Sequence, residues 1–181
     1  MHVHLRPPRP GDRDEFIAAM RASQKLHRPW LYPPETPEAF DALLARARDN
    51  PTFKPLFVCR DDDGAIVGYF NISNIIRGSL QGAFVGYGAV AAYAGRGYMT
   101  EGMRHVLRYA FVELGLHRLE ANIQPGNTAS LALARRSGFE REGFSARYLK
   151  IAGRWRDHER WAIRVDQWRA TRLKPWQGRS R

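Results

Sequence analysis

The segment Tyr93–Glu101, which reads Tyr-Ala-Gly-Arg-Gly-Tyr-Met-Thr-Glu, combines residue types that can hold a phosphate. Gly95 and Gly97 permit backbone turns in which successive N–H groups point into one concavity. A helix that begins directly afterwards adds unpaired N–H donors and a partial positive charge, and Arg96 adds a full charge nearby. The pattern indicates a diphosphate site, although a glycine-rich turn with Thr100 as the helix cap would show the same letters.

Two other phosphate-binding motifs can be set aside. The letters of Gly86–Ala91 match a dinucleotide-binding fingerprint, but Gly95 and Gly97 follow so closely that no helix can start there. The chain contains no Gly-Lys-Ser or Gly-Lys-Thr, which argues against a nucleoside triphosphatase.

The other reactive side chains suggest no competing catalytic centre. Cys59 lies in an apolar run and is expected to be buried, whereas His105 and His117 are expected to be structural or surface residues. Glu101 suits the first turn of a helix, and Glu120 alternates on a strand, where a central position could make it a base. No spacing of His, Asp or Glu predicts a metal site.

The whole chain, residues 1–181, is expected to be one domain, with a core over about 5–165 and a basic, Trp-containing segment over 166–181. The net charge is +11, and residues 147–181 contribute +8 of it together with four of the five Trp. Such an end could attract RNA or a ribosomal surface, or it could simply be solvated. The 44% apolar content excludes a disordered chain, and the single cysteine excludes a disulfide framework. Without a membrane span or secretory signal, we expect a cytoplasmic protein.

The helices and strands that position the glycine loop are predicted from the spacing of apolar residues and from helix-capping residues. Asp12 with Glu15 has the form of a capping box, and Thr36 before Pro37 is a second helix start. The strongest helical stripe follows Gly97, and a shorter helix is expected over 127–137. Strands are expected at 56–59, 66–72, 83–87, 118–123, 148–151 and 161–165. This order predicts an α+β sheet with one parallel crossover.

Several blocks of the sequence together resemble a known family. The loop and its helix resemble motif A of the GNAT acetyltransferases, and two downstream blocks resemble the part of the family that follows. Two further blocks are similar to the Rim-type branch, which includes the ribosomal-protein-alanine N-acetyltransferases. In chain order the blocks are Asn71–Asn74 with Arg77–Ser79, Gly95–Glu101, Pro125–Ser130, Ser137–Gly143 and Gly153–His158.

The resemblance implies an α+β GNAT fold, with a mixed, mostly antiparallel sheet that splays between two central strands and is flanked by helices. It also implies acetyl-CoA as co-substrate, without a metal. Asn127 and Ser130 are the implied catalytic residues, near the thioester and its sulfur, and Asn74 and Tyr87 are assigned to the acceptor. The implied cofactor-binding residues are Ala89, Val90, Gly95, Arg96, Gly97, Tyr98, Met99, Thr100, Asn127 and Ser130.

Four positions depart from the family pattern. Ala94 and Met99 replace the usual first and last residues of the phosphate loop, which acts through backbone N–H groups and should still bind. Phe84 stands where many relatives carry an acid, and Ala134 where many carry a Tyr that protonates the leaving thiolate. The usual base and the usual acid are therefore both missing.

The missing base limits which acceptor amine the enzyme can use. An α-amine titrates near ~7.7–8.0 and Lys near ~10.4, so an enzyme without a strong base suits a protein N-terminus better than a lysine. A water relayed by a backbone carbonyl or Asn74 could take the proton, and Ser130 could donate to the thiolate. Ser130 could equally be an ordinary residue of a helix that Asn127 caps.

Three functions remain open at this point. The first is an acetyltransferase for the N-terminus of a ribosomal or similar protein. The second is an acetyltransferase for a small amine, such as an amino acid, polyamine or antibiotic. The third is a module without catalysis that binds RNA or the ribosome through its basic end.

Overall fold

The computed structural model describes residues 2–173 of the chain. Seven strands form one sheet, in the spatial order β1-β2-β3-β4-β5-β7-β6. The strands are β1 Val3–Arg6, β2 Lys54–Arg60, β3 Ile66–Ile76, β4 Gly82–Ala89, β5 Arg118–Ile123, β6 Glu140–Ile151 and β7 Arg154–Arg164. The helices are α1 Arg13–Ala22, α2 Gln24–His27, α3 Pro37–Asp49, α4 Tyr98–Arg108, α5 Thr128–Arg136 and α6 Val165–Leu173. No helix in this part of the chain is long and apolar enough to cross a membrane.

The sheet is antiparallel except between its two central strands, β4 and β5. These strands pair in parallel from Gly82–Arg118 to Phe84–Glu120 and then separate. Beyond that point β4 continues to Ala89 and β5 to Ile123 without pairing. The expected α+β fold with a sheet that splays between two central strands is therefore confirmed.

Helices cover the sheet on both faces. On one face α4 and α5 pack through Met103, Val106 and Leu131 against alternate residues of the central strands. On the other face α1 and α3 pack through Phe16 and Phe40. Phe16 also stacks on a ring of β2, Phe57, with centroids 4.7 Å apart. Both faces of β2 and β3 are thus buried, which explains why their sequences read as apolar runs.

Two of the predicted helix caps are confirmed and one is wrong. The Thr36 hydroxyl accepts from the Ala39 N–H, and the Asn127 side chain accepts from the Ser130 N–H. The expected capping box of Asp12 and Glu15 does not form. Instead the Glu15 carboxylate accepts from the N–H of Ile66 in β3.

The Asp12 carboxylate instead accepts two hydrogen bonds from the Arg6 guanidinium, at 2.7 and 2.8 Å, and one from the Arg9 N–H. Burial opposes its ionisation, but these hydrogen bonds outweigh burial and hold the pKa of Asp12 below its ordinary value. The pair ties the edge strand β1, which the sequence analysis missed, to the start of α1.

Strands β6 and β7 form a long hairpin whose first strand is irregular. Two register shifts interrupt the pairing, between Arg141 and Gly143 and between Ser145 and Leu149, and both insert extra residues into β6. The expected late strand 148–151 is only the end of β6. The basic segment 166–181 begins within α6, where Trp168 is buried against Phe111, whereas 174–181 lie outside the described residues.

We predict that Asp12→Asn lowers the free energy of unfolding at pH 7 by about 1.5–3 kcal/mol, because a charged hydrogen-bond partner is removed from a largely buried site. Since the folded-state pKa is depressed, this stabilisation is present above the unfolded pKa near ~3.9 and disappears as the pH falls through the folded value. Urea unfolding at pH 7 and in acid measures both effects. Asp14→Asn, whose carboxylate is 95% exposed, is the matched control. An equal loss in both variants would contradict the prediction.

Candidate active site

The diverging ends of β4 and β5 open into a cleft of about 740 Å³. Its walls come from α2 and the segment after it, the end of β4, the loop before α4, and the first turns of α5. The lining residues are Leu26, His27, Trp30, Leu31, Tyr87, Gly88, Ala89, Tyr93, Ala94, Gly95, Gly97, Tyr98, Met99, Thr100, Gly126, Asn127, Thr128, Ala129, Ser130, Ala132, Leu133 and Arg136.

The glycine loop has the backbone geometry of an anion cradle. Gly95 and Gly97 have φ angles of +76° and +85°, in the left-handed region that favours glycine. The first helical hydrogen bonds run from the N–H groups of Thr100 and Glu101 to the Gly97 carbonyl. Within residues 2–173, the N–H groups from Gly95 to Met99 have no backbone acceptor, so they remain free to bind an anion.

The backbone of β4 presents groups to the gap between the strands. The Val90 N–H donates to the carbonyl of Val67 in β3 at 2.9 Å. Because successive residues of a strand point their peptide groups to opposite sides, those of Tyr87 and Ala89 face away from β3 and towards the gap. Extended polar ligands could pair with these groups as a further strand would.

One segment, residues 23–31, joins the two sides of the cleft, and we call it the bridging segment. On the β4 side, the Ser23 hydroxyl accepts from the Ala91 N–H at 2.9 Å, and His27 Nε2 lies 2.8 Å from the Ala89 carbonyl. On the β5 side, the Gln124 side chain donates to the Trp30 carbonyl at 3.0 Å. The bridging segment therefore fixes the width of the opening.

His27 is a cleft residue that the sequence analysis did not identify. Its side chain is 2% exposed, and its Nδ1 has no hydrogen-bond partner among the described residues. Burial lowers the pKa of His27, although the Ala89 carbonyl and the charge of Glu35 act in the opposite direction. A neutral ring with its proton on Nε2 satisfies the Ala89 carbonyl and leaves Nδ1 as an acceptor.

Tyr87 connects β4 to α5 across the cleft. Its hydroxyl donates to the Ser130 carbonyl at 3.2 Å, and burial raises the pKa of Tyr87 to about 12. The Ser130 N–H is held by Asn127, as the cap requires. The Ser130 hydroxyl has no hydrogen bond within the described chain, so it is free to serve a ligand, as is the hydroxyl of Thr128 in the same turn.

The structure brings most of the predicted site residues together. Ala89, Gly95, Gly97, Tyr98, Met99, Thr100, Asn127, Ser130 and Tyr87 all line the cleft. Arg96 is exposed beside it, between the two glycines. Val90 does not line it, since its N–H is bonded to β3. Asn74 is exposed on a bulge of β3, past the Ser73–Phe84 pair and far from the Gly68–Ala89 pair at the cleft.

Asn122, a second residue missed by the sequence analysis, follows the point where β5 leaves β4. Its Oδ1 is buried, and no described residue donates to it. Its position alternates with the core residues Ala121 and Ile123, which is the only sequence signal it carries. Ala134, expected to replace a catalytic Tyr, is fully buried in the core.

The charge of the cleft is the last feature that limits its ligands. Among the described residues that line it there is no Asp or Glu, and Arg136 is the one cation, since His27 is neutral. The cleft can therefore bind phosphates and neutral groups, but it offers no carboxylate to hold a polycation.

These features define an α+β protein with a cleft suited to a long phosphorylated ligand at the gap in its sheet. The model of the acetyltransferase (GNAT) domain matches residues 2–140, and the chain belongs to this family.

Two curated relatives are each similar to about 60% of this chain. The chain is 44% identical over 108 residues to the probable N-acetyltransferase YjcK of Bacillus subtilis, covering 60% of this chain and 59% of that one. It is 38% identical over 107 residues to the [ribosomal protein uS5]-alanine N-acetyltransferase of Escherichia coli, covering 59% of this chain and 55% of that one. The matches thus span somewhat more than half the length of these curated relatives.

Among solved structures, RimJ of Mycobacterium smegmatis in complex with CoA-disulfide is similar, with a TM-score of 0.82 and 31% identity. The match covers 91% of this chain and 83% of that protein.

We predict that the stability of the protein falls as the pH drops through about 6.5, the usual pKa of His, because the unfolded chain takes up a proton that buried His27 does not. Both His27→Gln and His27→Leu should reduce this pH dependence, measured by urea unfolding between pH 7.5 and 5. At pH 7 the Leu variant should be less stable than the Gln variant by about 1–3 kcal/mol, since only Gln can still donate to the Ala89 carbonyl. Unchanged pH dependence in both variants would show that His27 is not buried as a neutral ring.

Proposed function

We propose that this protein is an acetyl-CoA-dependent N-acetyltransferase that acetylates the N-terminal α-amine of a ribosomal or similar protein, by direct attack of the amine in a ternary complex. The observation that carries this proposal is the coincidence of the free N–H cradle at Gly95–Met99 with the gap between β4 and β5. Acetyl-CoA supplies the activated acetyl group as a thioester.

In this proposal the cradle binds the diphosphate of acetyl-CoA, and the gap between β4 and β5 binds its pantetheine arm. The N–H groups of residues 95–99 and the N-terminus of α4 suit the diphosphate, and exposed Arg96 adds its charge. The peptide groups of Tyr87 and Ala89 suit the amides of the pantetheine arm, whereas the Val90 N–H is already bonded to Val67. We therefore assign the pairing to Ala89 and Tyr87 rather than Val90.

We assign Asn127 and Ser130 to the reacting end of the donor. Asn127 holds the first turn of α5 in place, which directs the Ser130 side chain to the cleft. The Ser130 hydroxyl is free to donate a hydrogen bond that stabilises the thiolate as the thioester bond breaks, and the proton that the attacking amine loses reaches the sulfur through water. Tyr87, with a pKa raised to about 12, stays protonated near neutral pH, and its hydroxyl continues to donate a hydrogen bond to the Ser130 carbonyl.

The acceptor follows from the missing carboxylates. A cleft without Asp or Glu in its described lining favours an amine that can lose its proton in water over one that arrives as a polycation. An α-amine is partly neutral at pH 7, whereas lysine and polyamine nitrogens are almost wholly charged. The name of the Escherichia coli relative, an alanine N-acetyltransferase for ribosomal protein uS5, supports the same class of acceptor.

The proposal is tested by incubating the protein with acetyl-CoA and a panel of acceptors. The panel holds peptides that begin with different residues, matched peptides with a blocked N-terminus and one lysine, and spermidine. Intact mass should show one acetyl group added to free N-termini and little on the other acceptors. Preferential acetylation of spermidine or lysine would contradict the proposed acceptor.

We predict that Gly95→Ala raises the KM for acetyl-CoA about tenfold, because the left-handed backbone at this position costs a non-glycine residue about 1–2 kcal/mol. Gly78→Ala is the matched control. Gly78 also has a positive φ, +68°, and at both positions a Cβ would meet nothing within 4 Å. Gly78→Ala should lose stability by thermal unfolding and keep its affinity. Gly95→Ala should lose less stability but bind acetyl-CoA less tightly by calorimetry, because its loop relaxes out of the cradle and has to regain that shape on binding. Equal KM values in the two variants would exclude the loop as the diphosphate site.

We predict that Ser130→Ala lowers kcat by about 100-fold or more, the contribution typical of one hydrogen-bond donor aimed at developing negative charge, with little change in the KM for acetyl-CoA. Thr128→Val, in the same helical turn and also lining the cleft, should retain most of the activity. Steady-state kinetics with the best peptide from the panel gives both values. A Ser130→Ala enzyme with normal kcat would remove Ser130 from the chemistry.

A further inference from the structure

The end of the β6–β7 hairpin projects beyond the sheet. β7 pairs with β5 only from Arg164 to Glu159, but it stays paired with β6 down to Arg154. Residues 145–158 therefore form a two-stranded ribbon without a third strand. Because β7 runs antiparallel to β5, the ribbon extends past the carboxyl end of β5, which is the end where the cleft opens.

The ribbon carries unpaired positive charge. Its charged residues are four cations, Arg147, Lys150, Arg154 and Arg156, and one acid, Asp157. The Asp157 carboxylate is occupied by the backbone N–H of Arg147, at 2.7 Å. Within residues 2–173 none of the four cationic side chains forms an ion pair, although other arginines of the hairpin do. Arg147, Lys150 and Arg154 are exposed, so their charges are available to an external anion, whereas Arg156 is half-buried with its Nε enclosed.

The same ribbon exposes aromatic surface. Trp155 is 60% exposed, the highest value among the large apolar side chains of the described chain, and Tyr148 is 37% exposed. Lys150 lies directly opposite Trp155 in the strand pairing, so a flat ring and a cation share one face. By contrast, Trp161 and Trp168 are buried. Arg154 and Arg156 pair with Ile151 and Leu149, so their side chains leave from the other face of the ribbon. A thin ribbon that exposes Trp155 beside Lys150 on one face and arginines on the other offers a surface for a ligand that is both planar and anionic.

Single-stranded RNA has this chemistry, because its phosphates pair with cations while its unstacked bases stack on aromatic rings. A second copy of the chain, with its own charge of +11, would be repelled, and so would a basic peptide. An acidic peptide would engage the cations but offers no reason for the exposed indole. We propose that the ribbon binds single-stranded RNA, with a base on Trp155 and a phosphate on Lys150 beside it, while the arginines of the other face attract the strand through their charge.

This proposal goes beyond the acetyltransferase activity and does not depend on it. It also narrows the expected RNA-binding surface from the basic stretch 147–181 to residues 145–158. If both proposals hold, an RNA bound on the ribbon lies beside the open end of the cleft. An acceptor protein bound to that RNA would then have its N-terminus close to the cleft in which the amine reacts.

The test is fluorescence anisotropy of the full chain with a labelled oligouridine of about 12 nucleotides, a length in the range that one such surface covers. Trp155→Ala should weaken binding about five- to hundredfold, and Trp155→Phe should restore much of it. Lys150→Gln with Arg154→Gln should weaken binding and reduce the slope of log Kd against log salt by about 0.7 for each phosphate that the variant no longer neutralises.

The matched control is Arg104→Gln with Arg108→Gln, which removes two exposed arginines from α4, away from the ribbon. It should lower affinity far less than the ribbon variant. Equal reductions in affinity for the two charge variants, or no effect of Trp155→Ala, would overturn the proposal. Tighter binding of a double-stranded RNA of the same length would also overturn it. A third contrary result would come from sedimentation. If the native chain self-associates, and Trp155→Ala abolishes this self-association without changing RNA binding, the proposal is overturned.

Discussion

The structure depends on the separation of two neighbouring parallel strands. After the Phe84–Glu120 pair, β4 and β5 continue in different directions, and the peptide groups between them lose their sheet partners. Unpaired backbone groups inside a protein are unfavourable, so other groups have to satisfy them. His27 does so at Ala89, and the remaining groups are open to a ligand that carries its own amides. A fold that was closed at this point would be more stable and would have no cleft.

Keeping such a gap at a constant width requires connections across it. The bridging segment supplies them on one side, through Ser23 and His27 to β4 and through Trp30 to β5. Gly126 has to be a glycine for this packing, since a Cβ there would lie 2.8 Å from the Trp30 ring. On the other side, Tyr87 reaches from β4 to α5. The cleft is therefore held open by hydrogen bonds and close packing on both sides.

Sequence reasoning predicted the parts of this structure that local rules determine. The glycine loop, the stripe of α4 and the cap at Asn127 each depend on neighbouring residues, and the structure contains all three. The Asp12 cap failed because a cation only six residues earlier, Arg6 of β1, binds the carboxylate, and capping rules do not consider such a pair. His27 was missed for a similar reason, since nothing in its own segment shows that it meets β4, 62 residues later.

The two register shifts in β6 have a consequence for the edge of the sheet. β6 is the outer strand, and a long, regular outer strand offers a row of free peptide groups on which other chains can assemble. The inserted residues bend that row and break its spacing, and the positive φ of Arg147, +49°, marks one such break. Irregularity in β6 thus protects a concentrated solution of this protein from edge-to-edge aggregation while the hairpin keeps its length.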